Sequence, residues 1–128
     1  MNSTYEAFIN GHLRLPDRET HFAEIPWAEH AAFAGVALKH LLTARDTDGQ
    51  FSYHLARIAP NKEIGAHTHP GQLETHEVID GAGFCVNGGV RLRYAPGTIS
   101  IFPAGLPHSV CAGEEGLLLF AKFMPALC

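Results

Sequence analysis

With 128 residues, 46% hydrophobic and 17% charged, the chain is long enough to bury one core, too short for two, and too apolar to be a disordered segment. A net charge of −4 without any Lys/Arg run excludes nucleic acid and an anionic membrane surface as expected partners. The longest apolar run near the C-terminus, Leu117–Ala121, is far too short to span a bilayer.

Residues 1–26 read as an irregular or edge segment, because Pro16 and Pro26 break any long element. Met1–Pro16 has neither a basic region nor an apolar core, so no signal peptide is expected. Residues 27–34 (WAEHAAFA) read as a short helical turn. Residues 1–34 are therefore expected to form an extension, with Phe22, Trp27 and Phe33 available as a dimer element. From Gly35 to residue 128 the punctuation is that of a β protein. Strands are expected at 36–44, 51–59, 65–69, 74–79, 83–86, 90–94, 98–102, 108–111 and 117–123. Turns are expected at Asp46–Gly49, Asp80-Gly81, Asn87–Gly89, Pro96-Gly97 and Gly113–Gly116. Short strands at this spacing predict an all-β sandwich or barrel.

Cys85, Cys111 and Cys128 are odd in number and lack C-x-x-C spacing, as expected of a protein in a reducing cytoplasm. Cys128 reads as a mobile thiol. The nine histidines are the compositional oddity, and four of them lie between His67 and His108 with readable spacing.

His67 and His69 are two residues apart, so in a strand both imidazoles face the same side. A four-residue loop leads to Glu74 at the start of the next strand, where its carboxylate can face the same interior. His108 follows the rigid segment Pro103-Ala-Gly-Leu-Pro107. Three imidazoles and a carboxylate make a mixed N/O set suited to one divalent ion, Fe, Mn, Ni, Co or Zn. His76 shares the face of Glu74 and is the candidate catalytic or supporting imidazole. On the strand FSYHLARIA, either Tyr53, Leu55 and Arg57 or His54, Ala56 and Ile58 line the interior. In the first case Arg57 is placed to bind a substrate carboxylate, with Tyr53 beside it. Phe102 with Ser100, or Ile99 with Ile101, forms the opposite wall.

Two segments carry a family resemblance. Residues 65–81 (GAHTHPGQLETHEVIDG) resemble the first cupin motif, G(x)5HxH(x)4E(x)6G, from His67 onward. Residues 97–108 (GTISIFPAGLPH) resemble the second, G(x)5PxG(x)2H(x)3N, up to the histidine. The leading glycine of the first motif is replaced by Asn61, and the closing asparagine of the second by Ala112. The resemblance implies a double-stranded β-helix (jelly-roll) barrel at residues 35–128. It also implies one divalent ion held by His67, His69, Glu74 and His108, and a small-molecule substrate or ligand. The activities implied are those of dioxygenases, isomerases, decarboxylases or lyases, with a non-catalytic sensor or carrier as the alternative. A homodimer is the expected assembly.

Overall fold

The computed structural model describes residues 3–128. Along the chain run α1 (Ser3–Ile9), β1 (His12–Arg14), β2 (Glu19–His21), a 3-10 turn (Phe22–Glu24), β3 (Ala28–Glu29), β4 (Val36–Leu42) and α2 (Ala44–Thr47). They are followed by β5 (Ser52–Ile58), β6 (Glu63–His67), β7 (Leu73–Asn87), β8 (Val90–Tyr94), β9 (Ile99–Phe102) and β10 (His108–Met124). Met1 and Asn2, the start of the expected extension, lie outside the described residues.

All the pairings are antiparallel. The main sheet runs β3-β4-β5-β10-β7-β8, with β6 added on β10 and β9 on β7. Two long strands close the jelly-roll by bending. The first half of β7 pairs with β9 and its second half with β8. The second half of β10 pairs with β5 and its first half with β6. The bends coincide, because the β7–β10 register breaks between Ala112 and Leu117, opposite Gly81 and Gly83.

Here the structure corrects the sequence reading. Asp80-Gly81 and Gly113–Gly116 were expected to be turns that end strands, but they are kinks inside continuous ones. Gly81 has φ +87°, and a Cβ there would overlap the Gly116 carbonyl, so only glycine admits the close approach of the two strands.

Other differences have local causes. The strand expected at 36–44 stops at Leu42, because Thr43 and Asp46 form a capping box that starts α2. The Asp48-Gly49 pair ends that helical turn in left-handed conformation, φ 55° and 78°, instead of closing a two-residue hairpin. The segment 27–34 is not helical: Ala28 and Glu29 pair with Leu38 and Ala37 at the edge of β4. Asn61, standing at the missing motif glycine, has φ 60°. Asparagine tolerates that region best after glycine, which explains the exchange.

Among the described residues there are two cores. Inside the barrel lie Val36, Ile58, Val78, Tyr94, Phe102, Val110, Leu117 and Leu119 among others. On the outer face, Phe22, Leu41, Leu55, Ile79 and Leu118 form a second cluster beneath α1 and the β1–β2 hairpin. Phe8 of α1 packs edge-on against Phe120 at 5.8 Å. Trp27 lies between Arg57 (4.2 Å) and Lys39 (5.0 Å), and Lys39 Nζ donates to the Phe22 carbonyl at 2.6 Å. Phe22 and Trp27 are thus committed to their own barrel. Phe22→Ala is expected to lower the unfolding free energy by about 3–5 kcal/mol. Urea titration tests this, and a change below about 1 kcal/mol would show that the second core does not hold the extension.

Candidate metal centre

β6 ends and β10 begins at one place: His67 and His108 are register partners. Each of these imidazoles is oriented by its own chain. His67 Nδ1 lies 2.8 Å from the Gly65 carbonyl and His108 Nδ1 3.1 Å from the Leu106 carbonyl. A carbonyl only accepts, so each Nδ1 carries a proton and each Nε2 is the ring nitrogen turned inward. Glu74 enters from the start of β7. His69 lies beyond the end of β6, in the loop, where its carbonyl accepts from Gly105 at 3.0 Å. One donor atom from each of His67, His69, Glu74 and His108 lies within 4.8 Å of the others.

Glu74 is the hub. Its Oε1 is 2.8 Å from His108 Nε2 and 3.5 Å from His69 Nε2, and its Oε2 is 2.8 Å from His76 Nε2. Glu74 and His108 are only 5% and 2% exposed. Burial alone would raise the Glu74 carboxyl, but the imidazoles of His108 and His76 hold it well below the usual carboxylate range. Burial pushes His67 and His69 down. It would do the same to His108, but the adjacent Glu74 carboxylate raises that imidazole.

Glu74 Oε1 and His108 Nε2 lie 2.8 Å apart, and each is buried without a formed hydrogen bond. Unpaired buried polar atoms are costly and rare. Adjacent ligands on an ion with bonds of ~2.1 Å lie roughly 3 Å apart, so the spacing fits a shared cation. The four residues therefore fit the divalent ion that the sequence motifs imply.

His76 has both ring nitrogens engaged. The Glu74 carboxylate only accepts, so His76 Nε2 donates to it, and Nδ1, 3.0 Å from the Tyr94 hydroxyl, accepts from that group. Tyr94, buried in the barrel, was not singled out from the sequence. Its signal was the alternation that puts Leu92 and Tyr94 on one face of β8. His76→Leu is expected to weaken divalent-metal affinity roughly 10–100-fold, and His76→Gln, which keeps a donor, by less. Isothermal titration measures both, and equal affinities in all three proteins would remove His76 from the support of Glu74.

A cavity of about 130 Å³ opens beside Glu74, with His54, Ala56, Ile64, Phe123 and Leu127 among its walls. This settles the choice left open on β5: the face of His54, Ala56 and Ile58 is the inner one. Arg57 and Tyr53, expected as substrate-binding residues, are on the outside. Arg57 stacks on Trp27, and Tyr53 packs on Phe120 at 5.5 Å. Phe102 is buried behind the ligands, stacked on His108 at 4.1 Å and 22°, and supports that ring instead of lining the cavity. His54, the imidazole of the alternative face, lines the cavity, and His30 joins the wall without having been singled out.

The cupin-domain family model matches residues 54–121. Among solved structures, the chain is similar to a predicted oxalate decarboxylase from Thermotoga maritima, with a TM-score of 0.74 and 21% identity over 80% of this chain and 95% of that one. It is also similar to an ectoine synthase from P. lautus (TM-score 0.73, 20% identity, 84% of this chain and 78% of that one). A polyketide cyclase from Streptomyces resistomycificus is comparable (TM-score 0.72, 19% identity, 84% and 78%). These likenesses carry the fold alone. No curated protein matches by sequence. With the family match spanning over half of its length and a jelly-roll barrel around the motif residues, the chain belongs to the cupin family.

Proposed function

We propose that this cupin is a divalent-metal-dependent enzyme acting on a small organic substrate, by chemistry of the dioxygenase, isomerase, decarboxylase or lyase type. The observation that carries the reading is the pair Glu74 Oε1 and His108 Nε2, buried, 2.8 Å apart and without hydrogen-bond partners. Held by His67, His69, Glu74 and His108, an iron, manganese, nickel, cobalt or zinc ion would supply Lewis acidity toward a substrate oxygen.

The protein's own part follows from the side chains. Phe123, Leu127, Ala56 and Ile64 present an apolar wall that excludes water. Among the described residues, the cavity lining has no Arg or Lys. That favours a neutral or singly charged substrate over a dianion such as the oxalate named for one similar structure. His76 acts as a positioning residue for Glu74.

The test strips the protein with a chelator, reloads it with one metal at a time, and assays oxygenase, lyase and isomerase panels of small neutral and monoanionic substrates. Turnover with one metal, lost in His67→Ala, is expected. Full metal loading with ligand-induced thermal stabilisation and no turnover would favour the sensor or carrier reading instead.

We also propose a cytoplasmic homodimer. Cys85, Cys111 and Cys128 are free thiols, in accord with a reducing compartment. Ile99 and Ile101 are 65% and 57% exposed on β9, and Phe84 and Val90 are exposed on β7 and β8. Light scattering is expected to give twice the chain mass; a monomer at micromolar concentration would refute the dimer.

A further inference from the structure

The segment after β10 is tied down along its length. Gln72 Nε2 donates to the Ala126 carbonyl (2.8 Å) and Ala126 N to the Gly49 carbonyl (3.1 Å). Leu127 N donates to Ser52 Oγ (2.8 Å), and Ala44 N to the Cys128 carbonyl (2.6 Å). These bonds lay the tail across the ends of β4 and β5. They correct the expectation of a mobile thiol, because Cys128 Sγ is fixed 3.7 Å from His40 Nδ1. His40 is the register partner of His54, and their Nδ1 atoms are 2.8 Å apart.

We propose that His40, His54 and Cys128 form a second cation site, separate from the four-residue centre and suited to a thiophilic ion such as Zn(II). Their three donor atoms lie within 4.8 Å of one another. Two imidazoles and a thiolate are a borderline-soft set that selects zinc over magnesium, calcium or manganese. In a tetrahedral zinc site, bonds of ~2.3 Å to sulfur and ~2.05 Å to nitrogen put those two atoms roughly 3.6 Å apart, close to the observed 3.7 Å. The nitrogen pair would spread by roughly 0.5 Å to reach a tetrahedral edge.

The surroundings supply the support that a ligating imidazole needs. His54 is fully buried, and its Nε2 lies 2.7 Å from Ser52 Oγ. With Nε2–H donated to Ser52, His54 Nδ1 keeps its lone pair for the ion. A hydrogen bond between the two histidines would account for their 2.8 Å contact, but it gives the tethered thiol no role. Ion uptake releases the Cys128 thiol proton to solvent, and His40 carries its own proton on Nε2.

One ring separates the two centres: Phe123 packs on His54 (5.6 Å) and on His69 (5.0 Å). Leu127, next to Cys128, lines the cavity, so an ion at the second site fixes part of the wall of the first.

Cobalt(II) is the probe, because only the second site offers sulfur. Titration of the full chain is expected to give a thiolate-to-cobalt charge-transfer band. The band should persist in His67→Ala, and should be lost in Cys128→Ser and in His40→Ala. Cys128→Ser keeps the tail's backbone bonds and should still bind cobalt at the four-residue centre, which separates loss of this site from misfolding. Absence of the band from the wild-type chain, its survival in Cys128→Ser, or its loss in His67→Ala would each overturn the proposal.

Discussion

Replacing His108 by alanine is expected to abolish stoichiometric uptake of a divalent ion at the four-residue centre. The loss should exceed the roughly 10–100-fold that changes behind a ligand produce, because a ligand itself is removed. The substitution also takes away the imidazole beside Glu74 Oε1 and the ring on which Phe102 stacks. Glu74 remains bonded to His76, so the carboxylate keeps one partner and the barrel is expected to fold. Elemental analysis after dialysis, with Cys128→Ser in the background to remove the second site, gives the readout. A His108→Ala protein that retained a full equivalent of metal would sink the assignment. His108→Gln, which preserves more of the packing against Phe102, guards against reading instability as lost affinity.

The second large effect is on stability against pH in the chelator-treated protein. Burial drives His54 down to about 4, with His40 adding in the same direction and Glu74 opposing. An unfolded histidine titrates near ~6.5. Between those values the unfolded chain holds a proton at this site that the folded chain does not. Stability therefore rises with pH through the window, is fully present above ~6.5, and is lost as the pH falls toward 4. At ~1.4 kcal/mol per pKa unit, His54 alone accounts for roughly 3 kcal/mol. His40, His67 and His69, also lowered by burial, act with the same sign. Glu74, held below the carboxylate range, loses its contribution only as the pH falls further. Urea unfolding at pH 7 and pH 4.5 measures the difference. His54→Gln is expected to flatten the slope, and parallel slopes in the two proteins would show that His54 is not the group responsible.

The four central residues come together where the two spaced motifs put them: His67 at the end of a strand, Glu74 at the next strand's start and His108 after the rigid Pro103–Pro107 turn, whereas His69, expected on the strand of His67, reaches the cluster from the loop beyond β6. What alternation cannot give is the sign of a face. On β5 it separates Tyr53, Leu55 and Arg57 from His54, Ala56 and Ile58, but both faces of this strand are covered, one by the barrel interior and the other by α1 and the hairpin. An extension that buries the outer face removes the polar-out signal that would have told them apart. The kinks of β7 and β10 escaped for a related reason. Gly81 and Gly116 look like turn residues, yet they serve the mutual approach of strands far apart in sequence. The His40–His54–Cys128 cluster was out of reach because it depends on hydrogen bonds from residues 126–128 to residues 44, 49, 52 and 72, a tertiary arrangement with no local pattern.

The orientation of His67 and His108 has a kinetic consequence. Each Nδ1 is tethered to the carbonyl two residues upstream in its own chain, so the tautomer and ring angle are fixed as soon as β6 and β10 form. The entropy of ordering these two rings is spent during folding, not at the moment of ion capture. An arriving ion meets ring nitrogens already converged and need not wait for a rotamer search. The entry rate should then be set by the ion's own shedding of water. Metals with labile hydration shells would load fastest, whatever the final order of affinity.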